Sequence, residues 1–170
     1  MEEVGKKVIQ GFYRGEEWAS RLVFQTYRRL IYFAIRSVLP GKEDAEDAYL
    51  ETFARLFKNK PEFGPSNEGL SSYLVKSAKT IAIDFAKKNH RMAYVDLEDK
   101  AAATESGTVS AVIDGYLCPP LGQTEAEVVA YRAAFSLSFR EVAVIVGHPE
   151  TTVRRIYRKA MRRLKETWSK

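Results

Sequence analysis

Cysteine and histidine are nearly missing from this chain. Cys118 is the single cysteine among 170 residues, so no internal disulfide can form, which fits a reducing, cytoplasmic setting. The two histidines, His90 and His148, are too far apart in sequence to build a zinc site with that one thiol. Ser71, Ser72 and Ser138 have no neighbouring histidine to activate them. There is no glycine-rich phosphate loop either. With no catalytic constellation, the chain is expected to be no enzyme and to need no cofactor. No apolar run approaches the roughly 20 residues that cross a bilayer. Residues 1–10 are too charged for a signal peptide, so no membrane insertion is expected. Alternating β-branched runs bounded by hairpin turns are also missing, which points away from sheet.

What is present is apolar residue content and segregated charge. Hydrophobic residues make up 45% of the chain, ample for a packed core, and the net charge is a modest +5. Acid gathers at 43–47 and 96–99, base at 76–91 and 154–170. Two separate basic stripes suggest a polyanionic partner, although a single stripe would read as a solvated helix face.

Helical periodicity runs from about 16 to 39, with Trp18, Leu22, Phe24, Tyr27, Leu30, Ile31, Phe33, Ala34 and Val38 as its apolar positions, and Pro40-Gly41 stops it. A second helix is expected over about 44–58, with Ala48, Phe53, Leu56 and Phe57 facing the core. Two prolines and two glycines make 60–69 a loop, and a third helix follows over about 70–91. Periodicity then fades, apart from a short helix suggested near 109–113. Thr124 and Glu127 form a Ser/Thr-x-x-Glu capping box that predicts a helix running to about Phe135. The chain therefore reads as all-α. Two small helical domains, residues 1–93 and 120–170, are joined by a linker over 94–119.

The sharpest feature lies at 138–157, Ser-Phe-Arg-Glu-Val-Ala-Val-Ile-Val-Gly-His-Pro-Glu-Thr-Thr-Val-Arg-Arg-Ile-Tyr. Ser138 and Glu141 form a capping box; Gly147, His148 and Pro149 end the helix it opens. The next helix aligns Val153, Ile156, Tyr157, Ala160 and Leu164 on one side. The other side carries Arg154, Arg155, Arg158, Lys159, Arg162 and Arg163. This is a helix-turn-helix with a cationic surface suited to a DNA major groove.

Three blocks then carry a family resemblance. Asp44-Ala-Glu-Asp-Ala-Tyr-Leu-Glu-Thr-Phe-Ala-Arg-Leu-Phe57, Leu70-Ser-Ser-Tyr-Leu-Val-Lys-Ser-Ala-Lys-Thr-Ile-Ala-Ile-Asp84, and Leu137-Ser-Phe-Arg-Glu-Val-Ala143 with Thr152-Val-Arg154 stand in the order found in the sigma-70 family of bacterial transcription factors. The chain resembles its extracytoplasmic-function group over about 15–92 and 120–167. The resemblance implies a dissociable initiation subunit that binds core RNA polymerase and promoter DNA, with an anti-sigma factor as a possible further partner. It implies core-polymerase contacts at Asp44, Glu46, Asp47, Glu51, Thr52, Phe53 and Arg55. It places −10 promoter contacts at Ser72, Tyr73, Lys76, Lys79, Thr80, Lys87, Lys88 and Arg91. Contacts to the −35 element fall at Thr151, Thr152, Arg154, Arg155, Arg158 and Lys159.

The residue chemistry is compatible with each assignment. Acids on one helix can steer docking while apolar contacts supply affinity. They can equally serve the helix dipole at Asp44, but not as far along as Glu51. Lysines beside Tyr73 can hold phosphates while a ring or a pocket in 63–72 captures an unstacked base, a stack being worth about 1–3 kcal/mol. Tyr73, Ile81 and Phe85 can instead be core. The chain departs from the family pattern at Tyr73 (usually Trp), Thr80 (frequently Asn), Thr151 (commonly Gly), Arg155-Ile156 (commonly Ser-Arg) and Ser136. At Ser136 a left-handed turn would cost about 1 kcal/mol more than at Gly. The competing readings are a stand-alone helix-turn-helix regulator and an adaptor whose basic helices bind acidic proteins. The acidic helix argues against the first, the basic recognition helix against the second.

Overall fold

The structure, a computed structural model, describes residues 4–64, 67, 69–93 and 121–168. The chain divides into two compact units near residue 106. All regular elements of the described residues are helical. The short helix expected near 109–113 and the linker itself lie outside the described residues.

Among its described residues the N-terminal unit has four helices: α1 (Lys6–Tyr13), α2 (Glu17–Arg36), α3 (Lys42–Asn59) and α4 (Leu70–Ala93). The first of them was not read from the sequence. It is only 8 residues long and holds a glycine, yet Ile9 and Phe12 are buried on one side. Gly11 explains its fit. A Cβ there would lie 2.9 Å from Ala19 Cβ and 2.9 Å from a Glu16 carboxylate oxygen, so only glycine lets α1 press this close to α2. Along α2, Ala19, Val23, Tyr27, Leu30, Ile31 and Ala34 are buried at helical spacing, and α4 packs against both α2 and α3. Leu70, Leu74, Val75, Ala78, Ile81 and Ala82 give α4 its inner stripe. Burying each of its leucines and isoleucines contributes about 1.5–3 kcal/mol. Aromatic rings weld α2 to α3, with Phe24 and Phe53 centroids 4.3 Å apart and Tyr32 stacked on Tyr49 at 4.6 Å. Lys60 ends α3 in the left-handed conformation, at φ 43°.

One core expectation, Phe57, fails here, and one apolar position of the α2 period, Trp18, lies at the surface. Trp18 is 49% exposed, because its indole N–H turns out to meet the Glu16 carboxylate at 2.8 Å. Phe57 is 43% exposed, with an edge contact to Phe12 and a cation contact from Lys60. Phe85 is half-buried rather than core.

Among its described residues the C-terminal unit has three α-helices: α5 (Gln123–Val129), α6 (Phe139–Val146) and α7 (Glu150–Trp168). Thr124 does not cap α5. Gly122 holds the N-cap position, and its N–H donates to the Glu125 carboxylate at 3.2 Å. The helix does not run on regularly to Phe135 either: Ala130–Ala134 widens into a π-type turn, with Phe135 N–H donating five residues back to the Ala130 carbonyl. That turn drives the Tyr131 ring into the core, and the chain then reverses at Ser136, left-handed at φ 56° as the sequence implied. Both halves of the Ser138 capping box form: Glu141 N–H donates to Ser138 Oγ at 3.2 Å, and Ser138 N–H to Glu141 Oε2 at 2.9 Å. Gly147, at φ 72°, closes α6. Leu121, Ala126, Val129, Ala160 and Leu164 make a core cluster against which Tyr157 packs half-buried; Ile156 is half-buried too.

Candidate nucleic-acid interface

The amphipathic period of α7 fixes what it offers outward. With Val153, Ala160 and Leu164 buried, Arg154, Arg155, Arg158, Lys159, Arg162 and Arg163 must face solvent, and all are exposed. Thr151 is exposed at the helix start, while Thr152 is half-buried. This cationic face is not a loose array. Glu150 Oε1 accepts from Arg154 Nε at 2.9 Å and from Arg154 Nη2 at 2.6 Å. The Arg154 guanidinium also lies 4.5 Å from the Phe139 ring centroid, with Arg132 5.1 Å from the same centroid and Tyr157 against the ring edge. Arg158 Nε donates to the Arg154 carbonyl at 3.4 Å.

Farther along, Glu125 of α5 gathers two cations of α7: Arg163 Nη1 at 2.8 Å and Lys159 Nζ at 3.9 Å. The Glu125 side chain is only 15% exposed, so it is an anchor between helices and not a surface decoration. Arg155 is exposed and meets no carboxylate among the described residues. The sequence set Arg154, Arg155, Arg158 and Lys159 apart from Arg163 by position along the helix; the structure instead pairs Arg154, Lys159 and Arg163 with carboxylates and leaves Arg155 exposed. Only a glutamate three residues after Gly122 hinted at the clamp.

The second basic surface lies on α4. Lys76, Thr80 and Lys87 share a face at spacings of four and seven residues, with Lys88 beside them, and all four are exposed. Thr80 Oγ1 donates to the Lys76 carbonyl. Lys79 is half-buried. Arg91 belongs to α4, but its side chain lies outside the described residues. Ser72, expected among the −10 contacts, is buried, its hydroxyl donating to the Gly69 carbonyl at 2.9 Å at the end of the loop. Tyr73 is half-buried, edge-on to Phe63 at 5.7 Å, and its hydroxyl accepts from Asn59 Nδ2 at 3.5 Å. Ile83 is an exposed apolar residue on the same face, and Asp84 is exposed next to it.

The third surface is the acidic side of α3. Glu46, Asp47 and Glu51 are exposed, and Asp44 and Arg55 are half-buried. Thr52 and Phe53, expected among the contacts, are buried instead. The Thr52 hydroxyl donates to the Ala48 carbonyl at 2.7 Å and Phe53 packs on Phe24, so neither is available to a partner. Leu50 is what sequence reasoning missed. It is 60% exposed, one turn beyond Glu46 and Asp47, an apolar centre within a carboxylate ring. Its helical offset from those acids was the available signal. Behind this face burial raises the Tyr49 hydroxyl to about 12, and burial followed by the nearby Glu46 charge raises that of Tyr32.

Among the described residues no group of three or more His, Cys, Asp and Glu side chains could hold a metal ion. None of the described helices is long and apolar enough to cross a membrane.

An all-helical pair of units, one carrying a capped helix-turn-helix with a cationic outer face and the other a basic helix beside an acidic one, defines a DNA-binding protein built to work with a second protein. Comparison with known families agrees. The profile of sigma-70 region 2 matches residues 23–92, and that of sigma-70 region 4 matches residues 121–166. Among solved structures, CnrH in complex with the cytosolic domain of CnrY is similar, with a TM-score of 0.64, 17% identity, and coverage of 98% of this chain and 97% of that one. The sigma factor RpoE in complex with the anti-sigma factor NepR, from Bartonella quintana, is similar at a TM-score of 0.57 and 18% identity, covering 88% of this chain and 96% of that one. No curated protein matches the chain in sequence. The chain belongs to the sigma-70 family. It is a sigma factor: it binds core RNA polymerase and directs promoter recognition, DNA melting and the start of transcription.

Proposed function

We propose a division of that activity among the three surfaces. Residues 1–93 dock on core polymerase and open the −10 element, 94–119 link, and 120–170 read the −35 element as duplex. Core docking is centred on Leu50, with Asp44, Glu46, Asp47, Glu51 and Arg55 around it. Opposite charge steers the encounter and fixes register, and the exposed leucine supplies apolar contact. Thr52 and Phe53 hold α3 in place from beneath. The single observation that carries this reading is Leu50, exposed on an acidic helix face. A stand-alone DNA-binding regulator has no use for it.

On α4, Lys76, Lys79, Lys87, Lys88 and Arg91 bind backbone phosphates, with Thr80 between them. Tyr73 and the loop before it receive an unstacked base. Trapping an unpaired base shifts the melting equilibrium toward open DNA without nucleotide hydrolysis. On α7, Thr151, Thr152, Arg154, Arg155 and Arg158 lie where a recognition helix meets base edges, and a bidentate arginine contributes about 1–3 kcal/mol of discrimination there. Lys159 serves a phosphate. The protein works in the cytoplasm and performs no catalysis of its own.

CnrH is seen with the cytosolic domain of CnrY and RpoE with the anti-sigma factor NepR, which supports a regulatory partner of that kind here. Run-off transcription with purified core polymerase and a genomic fragment library tests the division of labour. Arg155→Ala should weaken promoter selection about tenfold, as the loss of one arginine contact does, while leaving competition for core intact. Loss of both together would refute the assignment.

A further inference from the structure

We infer that α1 is a brace for the loop between α3 and α4, with Tyr13 and Asn67 as its positioning residues; this rests on the proposed role of that loop in capturing a promoter base. The loop leaves α3 at left-handed Lys60 and enters α4 at Gly69, φ 90°. Within it, Asn67 N–H donates to the Gly64 carbonyl at 2.9 Å, and Leu70 N–H to the Asn67 carbonyl at 3.0 Å. Among the described residues, two polar ties reach it from outside, one from Val4 just before α1 and one from Tyr13 at its end. At the near end, the Asn67 side-chain amide donates to the Val4 carbonyl. At the far end, the Tyr13 hydroxyl donates to the Pro61 carbonyl at 2.8 Å. The helix thus spans the loop and fastens it at Pro61 and at Asn67.

The residues involved suit the task. Tyr13 stays a protonated donor near neutrality, since burial and then the neighbouring Tyr73 push its hydroxyl up to about 12. Asn67 is buried and left-handed at φ 52°, a conformation asparagine tolerates better than most residues. Between the two fastened points Phe63 lies edge-on to Tyr73 at 5.7 Å. A loop held in its receptive shape does not lose affinity to the fraction of time spent in other shapes. α1 is therefore part of promoter opening although it presents no base-contacting group.

Holoenzyme assembled from the full chain and core polymerase tests this, with the non-template −10 strand of a promoter recovered by run-off transcription as the probe. Tyr13→Phe removes the donor alone and should weaken single-strand binding about fivefold, the worth of one hydrogen bond. The double variant Tyr13→Phe/Asn67→Gly should weaken it further. Both should keep the salt dependence of binding and the wild-type competition for core. Lys76→Ala/Lys87→Ala is the control, and should lower both affinity and salt slope. If the lysine variant weakens while both brace variants bind normally, the brace is wrong and the surface stands. If the lysine variant binds normally, the surface assignment falls and the brace with it. A parallel loss of core competition in Tyr13→Phe would reduce Tyr13 to a structural residue and overturn the inference.

Discussion

Replacing Glu125 with glutamine should move stability and DNA affinity in opposite directions. Glu125 accepts from Gly122 N–H at 3.2 Å, holds Arg163 at 2.8 Å and lies 3.9 Å from Lys159, from a side chain only 15% exposed. Glutamine keeps the shape and one carbonyl acceptor but removes the charge. The Lys159 contact is long and its lysine is exposed, so solvent screening leaves it little worth. The Arg163 contact is a short charge-assisted bond to a mostly buried partner, and its loss should cost about 1 kcal/mol. For so small a unit that corresponds to a fall of roughly 5 °C in melting temperature. The same substitution releases two cations on the DNA-facing helix. Duplex binding should tighten, and each further phosphate neutralised should steepen the salt slope by about 0.9. Thermal melting followed by circular dichroism gives the first quantity, and fluorescence anisotropy of a labelled duplex across a salt series gives the second. Unchanged salt slope with lowered stability would show that Lys159 and Arg163 never reach the phosphates. A tighter complex with no loss of stability would show that Glu125 anchors nothing.

Leu50→Asp should weaken competition for core polymerase by more than tenfold, since a buried Leu contact is worth about 1.5–3 kcal/mol, while the melting temperature holds. Gly11→Val should destabilise the N-terminal unit by about 1–3 kcal/mol in urea titration, as overpacking does, because its Cβ meets Ala19 at 2.9 Å. Ser138→Ala should cost the C-terminal unit about 1 kcal/mol on denaturant unfolding. Tyr13 and Tyr49 both have hydroxyls raised from 10.0 to about 12. The folded state therefore keeps protons that the unfolded chain gives up. Their stabilising contribution is complete below pH 10 and is lost as pH climbs toward 12, so ultraviolet phenolate absorbance and unfolding should rise together in that window.

The helix-turn-helix was legible because its signals are local. Ser138, Glu141 and Gly147 each act within one turn, and all three sit as their spacing demands. The helices α2, α3 and α4 were legible from period alone, within a few residues at each end. What escaped depended on tertiary context. α1 is too short to show its period, and only the approach of Ala19 explains Gly11. Thr124 looked like a cap because the box pattern cannot tell which of two acids, Glu125 or Glu127, will reach back. Thr52 and Phe53 share a family motif with exposed acids, and a motif does not say which of its residues face inward. Trp18 and Phe57 fit the apolar period, yet a carboxylate and a surface lysine hold them at the edge. Leu50 went unnoticed for the converse reason: an apolar residue outside the period has meaning only once its neighbours are seen to be exposed.

The Arg154 guanidinium lies over Phe139 with two of its donors already committed to Glu150. Any chromosomal segment that competes for it must first outbid a carboxylate on the same helix, and random sequence offers only phosphate charge with which to do so. A matched guanine edge offers two acceptors in one plane. On the proposed reading, a base edge must displace Glu150 from Arg154, and because both side chains are exposed that exchange costs at most about 1 kcal/mol, a small bias toward a partner that offers two acceptors at once.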